Sequence, residues 1–149
     1  MSGGPEYVYV ALIDAPPERV WQGLTTAEFT QQYWHSARVQ SAFTQGALVE
    51  FLSEDGEVDL RGEVLEVDPP NRLSYTWHFP RNPQAHMDPV SRVTFVLEKV
   101  GAGTRLTVIH DRLVVGTRTH DLIWQGWPGV ICGLKTLLET GRAVDFSRY

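Results

Sequence analysis

Between positions 120 and 141 the sequence reads HDLIWQGWPGVICGLKTLLETG, with apolar residues at Ile123, Trp124, Trp127, Val130, Ile131, Leu134, Leu137 and Leu138. Steps of three and four are the spacing of one face of an α-helix. At about 100° per residue, all of them lie within about 80° of Leu134, so the stripe is broad and continuous. Gly141 supplies a stop. Pro128 cannot donate to the carbonyl of Trp124 and biases Trp127 away from helical geometry. Because the stripe keeps phase across it, the spacing predicts one kinked helix or two short helices in line. A stripe this wide, with two tryptophans, needs a large apolar surface to lie against.

The rest of the chain is patterned to provide that surface. Residues 7–13 (YVYVALI) are β-branched and aromatic and read as a first strand, which residues 14–17 (DAPP) stop. Val20, Trp21 and Leu24 mark a short helix ending near 23–25. Thr25 to Glu28 (TTAE) has the capping-box spacing, opening a second short helix with Phe29, Tyr33 and Trp34 on one side. The period then changes to two. Residues 47–52 and 58–67 read as strands around a turn at 54–56, with Gly62 as a bulge. In the strand over 72–79, Leu73, Tyr75, Trp77 and Phe79 share a face. A loop with three prolines spans 80–89. Strands over 91–99 and 104–111 follow around a Gly101–Ala102–Gly103 turn, the last with Leu106, Val108 and His110 on one face. The order predicts an α+β fold: a curved antiparallel sheet wrapped around a long C-terminal helix, with two short helices after the first strand. One domain over residues 1–149 is expected, with residues 1–5 a flexible leader.

Composition narrows the function classes. The net charge of −5, without a Lys/Arg run, argues against a nucleic-acid groove. No apolar run approaches the ~20 residues of a membrane span. Cys132 is the lone cysteine, so no internal disulfide is possible and a cytoplasmic location is expected. The helical phase turns it about 160° from the stripe. The histidines, His35, His78, His86, His110 and His120, show no HxxxH, HExxH or Cys/His spacing, so no metal site is expected. His86 and Asp88 could share a metal, although a loop histidine is more often solvated. There is no GxSxG elbow, P-loop or dinucleotide fingerprint, and no cofactor is expected.

Four segments carry a family resemblance: APPERVWQGLTT (15–26), PPNRLSYTW (69–77), GTRLTVIH (103–110), and GW followed by an apolar helix with Leu134 (126–138). In this order they resemble the SRPBCC superfamily (START-like, birch-allergen-like, polyketide cyclase-like), whose fold is the helix grip. Within it, the likeness is closest to the family named for the activator of the heat-shock protein 90 ATPase. Pro128 inside the usual helix and the long proline-rich loop depart from the pattern. The additional domain of the eukaryotic activator is not expected here.

The resemblance implies a space between sheet and helix, and gives the aromatic residues two readings. They are packed core, or they line an incompletely filled cavity for a small hydrophobic molecule. On the second reading Tyr75, Trp77, Phe95, His110, Trp124 and Trp127 line the cavity. Arg81, His86 and Met87 then gate its mouth, flanked by Trp34 and His35. His110, on an inward strand face, either anchors its strand end by a hydrogen bond to backbone or serves as a polar group inside the cavity, able to orient or protonate a carbonyl. Three functions follow: a ligand-binding protein, a chaperone-activator-like interaction module with a chaperone or homodimer partner, or a cyclase- or hydrolase-type enzyme using His110 and a pocket water.

Overall fold

The computed structural model describes residues 6–148, so the expected leader at 1–5 lies outside the described residues. Strand β1 (Tyr7–Ile13) leads through Asp14–Pro16 into helices α1 (Pro17–Thr25) and α2 (Ala27–Tyr33). Strands β2 (Arg38–Gln40), β3 (Leu48–Leu52), β4 (Val58–Asp68), β5 (Arg72–Trp77), β6 (Ser91–Val100) and β7 (Gly103–Asp111) follow. Helix α3 (Arg118–Thr140) and a 3-10 turn at Phe146–Arg148 end the chain. The strands form one sheet in the order β1-β7-β6-β5-β4-β3-β2, every pairing antiparallel. This is the α+β helix-grip architecture the periodicities predict.

Alternation in the central strands puts Leu73, Tyr75 and Trp77 of β5, Val93, Phe95 and Leu97 of β6, and Leu106 and Val108 of β7 in the core. Against them α3 buries Ile123, Trp127, Val130, Ile131, Leu134 and Leu137. Each such side chain contributes about 1.5–3 kcal/mol when fully buried. Trp124, at the margin of the stripe, is 46% exposed. Its ring meets the edge of Tyr7 at 4.7 Å. Cys132 is exposed, as its helical phase requires.

Four local features differ from the sequence reading or resolve it. First, α3 is a single helix that runs through Pro128. The proline sits beside exposed Trp124 and Gln125, where solvent can serve the carbonyl that loses its partner. Thr117 caps the start by accepting from the His120 amide at 3.1 Å, and Gly141 closes the end at φ +76°. Second, the capping box at 25–28 does not form. The hydroxyls of Thr25 and Thr26 donate back to the Trp21 and Gln22 carbonyls at 2.8 and 2.7 Å, finishing α1 rather than opening α2.

Third, the register shifts of β4 fall between Val64 and Glu66 and opposite Phe51/Leu52, not at Gly62. Gly62 instead permits a close approach of two backbones, since a Cβ there would lie 1.8 Å from the Thr76 carbonyl oxygen. Beside it, the Thr76 hydroxyl accepts from the Glu63 amide at 2.8 Å. Fourth, the short edge strand β2 was not anticipated. It is held by Thr30, whose hydroxyl donates to the Ala37 carbonyl at 2.9 Å and accepts from the Val39 amide at 3.1 Å. After Gly141 the chain turns back along α3. Cβ atoms at Gly129 and Gly133 would lie 2.7 Å from the Phe146 carbonyl oxygen and 2.9 Å from Tyr33 Cβ.

Candidate functional site

Helix α3 lies against β1 on one side, where Lys135 donates to the Leu12 carbonyl at 2.7 Å. On its other side, toward β3, β4 and the end of β5, a cleft of about 470 Å³ remains. Trp34, Trp77 and Trp127 form its aromatic wall, Phe51, Leu60 and Phe79 continue it along the sheet, and Ile123, Gly126 and Val130 face it from the helix. The Trp34 and Trp77 rings stack at 6.1 Å, and Trp127 approaches them at 5.5 and 5.3 Å. Trp127 stands at 71° to Trp34 and 54° to Trp77, so the three rings brace one another into a rigid, angled apolar wall. Trp77 is 5% exposed, and its Nε1–H has no hydrogen-bond partner among the described residues.

His110 stands behind this wall, its ring 5.1 Å from that of Trp77. It is fully buried. The Trp127 indole donates to Nδ1 at 3.2 Å, and Nε2 lies 2.8 Å from the Ser91 hydroxyl. An indole N–H can only donate, so Nδ1 is the acceptor and a neutral ring carries its proton on Nε2. Burial pushes the imidazole down to about 3, slightly opposed by Asp111. His110 therefore holds the Trp127 ring in place and does not face the cleft. The anchoring partners are side chains rather than backbone.

The rim is polar. Arg81 donates to Asp59 at 2.7 Å, to Asp55 at 3.4 Å and to the Ser53 hydroxyl at 3.1 Å. The Ser53 hydroxyl, then the Glu57 amide, then Arg81 hold the Asp55 carboxyl below its usual range. This cluster ties the 80–89 loop to the β3–β4 hairpin. At the loop's other end, Asp88 accepts from both the amide and the hydroxyl of Thr119 at 2.8 Å, fixing it to the first turn of α3. Between these ties His78 Nε2 donates to the His86 carbonyl at 2.8 Å. Opposite the loop, His35 and Ser36 take left-handed backbone conformations at φ +50° and +55°. The His35 amide donates to the Ser147 hydroxyl at 3.0 Å, so the tail completes the rim.

Of the residues selected from sequence, Trp77, Trp127 and Arg81 meet at the cleft, as do Trp34 and His35. Tyr75, Phe95 and His110 are packed behind the wall, and Trp124 lies on the outer side of α3. His86 and Met87 do not line the cleft, Met87 being 83% exposed. Sequence reasoning missed Phe51 and Leu60, although their strand alternation marks them as inward. It also missed Gly126 and Ser147, for which no local pattern exists. Among the described residues no group of three potential ligands could hold a metal ion, and no helix is long and apolar enough to cross a membrane.

Residues 14–139 match the family described as Activator of Hsp90 ATPase homolog 1-like protein. The chain belongs to that family. Among solved structures, this family member resembles a protein from Mesorhizobium loti at 28% identity and a TM-score of 0.78, over 93% of this chain and 99% of that one. It shares its fold with the Aha1 dimer from Colwellia psychrerythraea at 19% identity and a TM-score of 0.75, over 93% and 99%. It also shares it with DynU16, from the dynemicin biosynthetic locus, at 24% identity and a TM-score of 0.77, over 98% of this chain and 50% of that one. Curated proteins give no match.

Proposed function

We propose that this family member binds a small apolar, aromatic molecule in the cleft between α3 and the β3–β4 side of the sheet. The observation that carries the reading is a space of about 470 Å³ walled by three mutually braced tryptophans. Its volume lies within the roughly 300–1,000 Å³ of small-molecule sites, and its apolar wall with a sparse polar rim is their usual composition. The test is native mass spectrometry of the purified protein, followed by solvent extraction of bound material. A stoichiometric small molecule, lost in a folded Gly126→Leu variant whose new side chain enters the cleft, is the expected result. A clean apo mass, with no binding to a panel of planar aromatic compounds, would reject the reading.

A second reading is an interaction module with a chaperone or a second copy as partner, supported by the family membership and by the dimeric Colwellia relative. Val8, Val10 and Leu12 on the outer face of edge strand β1 are each about half exposed and offer it a surface. Co-sedimentation with a chaperone and light scattering of the pure protein decide it. The enzyme reading drew on His110 as a group acting on a pocket water. Both ring nitrogens are engaged behind the aromatic wall, which leaves that residue no access to a molecule in the cleft.

A further inference from the structure

Strict alternation along β4 would send Asp59 to the face opposite its buried neighbour Leu60, away from the cleft. The register prevents this. Phe51 pairs with Leu60 and Leu52 with Val58, so Asp59 is the extra residue of a bulge. Bulges re-aim side chains and are over-represented beside active sites. Asp59 accordingly lines the cleft together with Leu60. Its Oδ1 accepts from Arg81 Nε at 2.7 Å, while Oδ2 has no hydrogen-bond partner among the described residues. The side chain keeps 38% of its surface exposed. Arg81 is the one Lys or Arg among the described residues lining the cleft. Its three nitrogens are engaged, Nε by Asp59, Nη1 by Asp55 and Nη2 by the Ser53 hydroxyl. Two carboxylates therefore meet a single guanidinium, and the mouth keeps an excess of negative charge.

From this placement we infer that the cleft selects an aromatic ligand with a hydroxyl or amine donor and no anionic group, the donor bonding the open oxygen of Asp59. This inference rests on the proposed cleft-binding function and specifies its chemistry. A carboxylate accepts hydrogen bonds and never donates, so a donor on the ligand gains a charge-assisted bond. A bare hydrocarbon displaces water from that oxygen without replacing its bond, which loses affinity. A carboxylate or phosphate on the ligand meets like charge, and a guanidinium whose nitrogens are already engaged. Asp59 is thus the residue that sets which aromatic compound the cleft prefers.

The test uses naphthalene, 2-naphthol and 2-naphthoate at pH 7, which share a two-ring frame and differ in one substituent. Affinities come from equilibrium dialysis against the full chain. 2-Naphthol is expected to bind about five- to tenfold more tightly than naphthalene, the ratio that one net hydrogen bond gives. 2-Naphthoate should bind most weakly of the three. In Asp59→Ala the advantage of the naphthol should vanish and the naphthoate should gain, because Arg81 then has a donor to offer. Asp59→Asn, which keeps the shape of the side chain, takes its place should the alanine variant not fold, and there too the naphthoate should gain. Naphthoate binding as tightly as naphthol, or an order unchanged in the Asp59 variants, would overturn the selectivity while leaving cleft binding intact. Binding of none of the three, or binding that persists undiminished in folded Gly126→Leu, would remove both.

Discussion

With Trp127 donating to Nδ1 and the Nε2 proton directed at Ser91, a second proton on His110 would have to break a buried hydrogen bond and bring a charge into the core. Its folded-state pKa of about 3 lies below the ~6.5 of an unfolded histidine. The unfolded chain therefore binds more protons between these values. Stability is full above about pH 6.5 and is lost as pH falls toward 3, at up to about 1.4 kcal/mol per pH unit. Asp111, held low chiefly by Arg92, and Glu139, held low chiefly by Lys135, lose their contributions only as pH falls below about 5. Urea unfolding between pH 5 and 7.5 should therefore show a slope from His110 with little carboxylate background. In His110→Phe that slope should flatten, while stability at pH 7 falls by about 1–3 kcal/mol because the Trp127 donor is orphaned. A slope unchanged in the variant would assign the titration elsewhere.

The glycines of α3 give contrasting outcomes within one element. A Cβ at Gly126 meets nothing within 4 Å, so Gly126→Ala should raise stability by about 0.5–1 kcal/mol through helix propensity. At Gly133 a Cβ would lie 2.9 Å from Tyr33 Cβ and 3.0 Å from the Val144 carbonyl oxygen. Gly133→Ala should cost about 1–3 kcal/mol by the overpacking it forces. Thermal melts of the two variants check both signs. At the start of the helix, Asp88→Ala removes the acceptor of the Thr119 amide and hydroxyl. It should cost about 1 kcal/mol and increase amide exchange across the 80–89 loop.

The same elements show what the sequence could convey. The stripe of α3 and the alternation of β5, β6 and β7 are periodic, so the inward faces could be read directly. Strand β2 could not, because three residues paired through the Thr30 side chain and a left-handed turn carry no period. Nor does a face reveal where along it the packing is loose. Tyr75 and Phe95 share the inward face with Trp77, yet Trp77 alone of the three meets the gap beside α3. That selection comes from the sideways placement of α3 toward β1, which is a tertiary property.

At the scale of the whole molecule the cleft is a gap in the grip. The sheet is continuous from β1 to β2, while α3 closes on one flank and leaves the other to the β3–β4 hairpin and the Arg81 cluster. The hairpin side ends in the three-residue edge strand β2, so it has few ways to resist local opening compared with β5, β6 and β7 in the interior. A ligand seated among Phe51, Leu60, Trp77 and Trp127 touches β3, β4, β5 and α3 at once. It would couple the weakly held flank to the helix. Binding at a concentration of 100 times Kd stabilises the folded state by about 2.7 kcal/mol, a slowing of about 100-fold where exchange requires the bound site to open. In hydrogen–deuterium exchange with a planar aromatic compound that binds the protein, that protection should concentrate in β3, the first half of β4 and the middle of α3. Amides of β1 should change least, because β1 and its neighbour β7 lie on the flank already closed by the helix. Protection spread evenly over all strands, or centred on β1, would place the ligand somewhere other than the gap and refute the coupling.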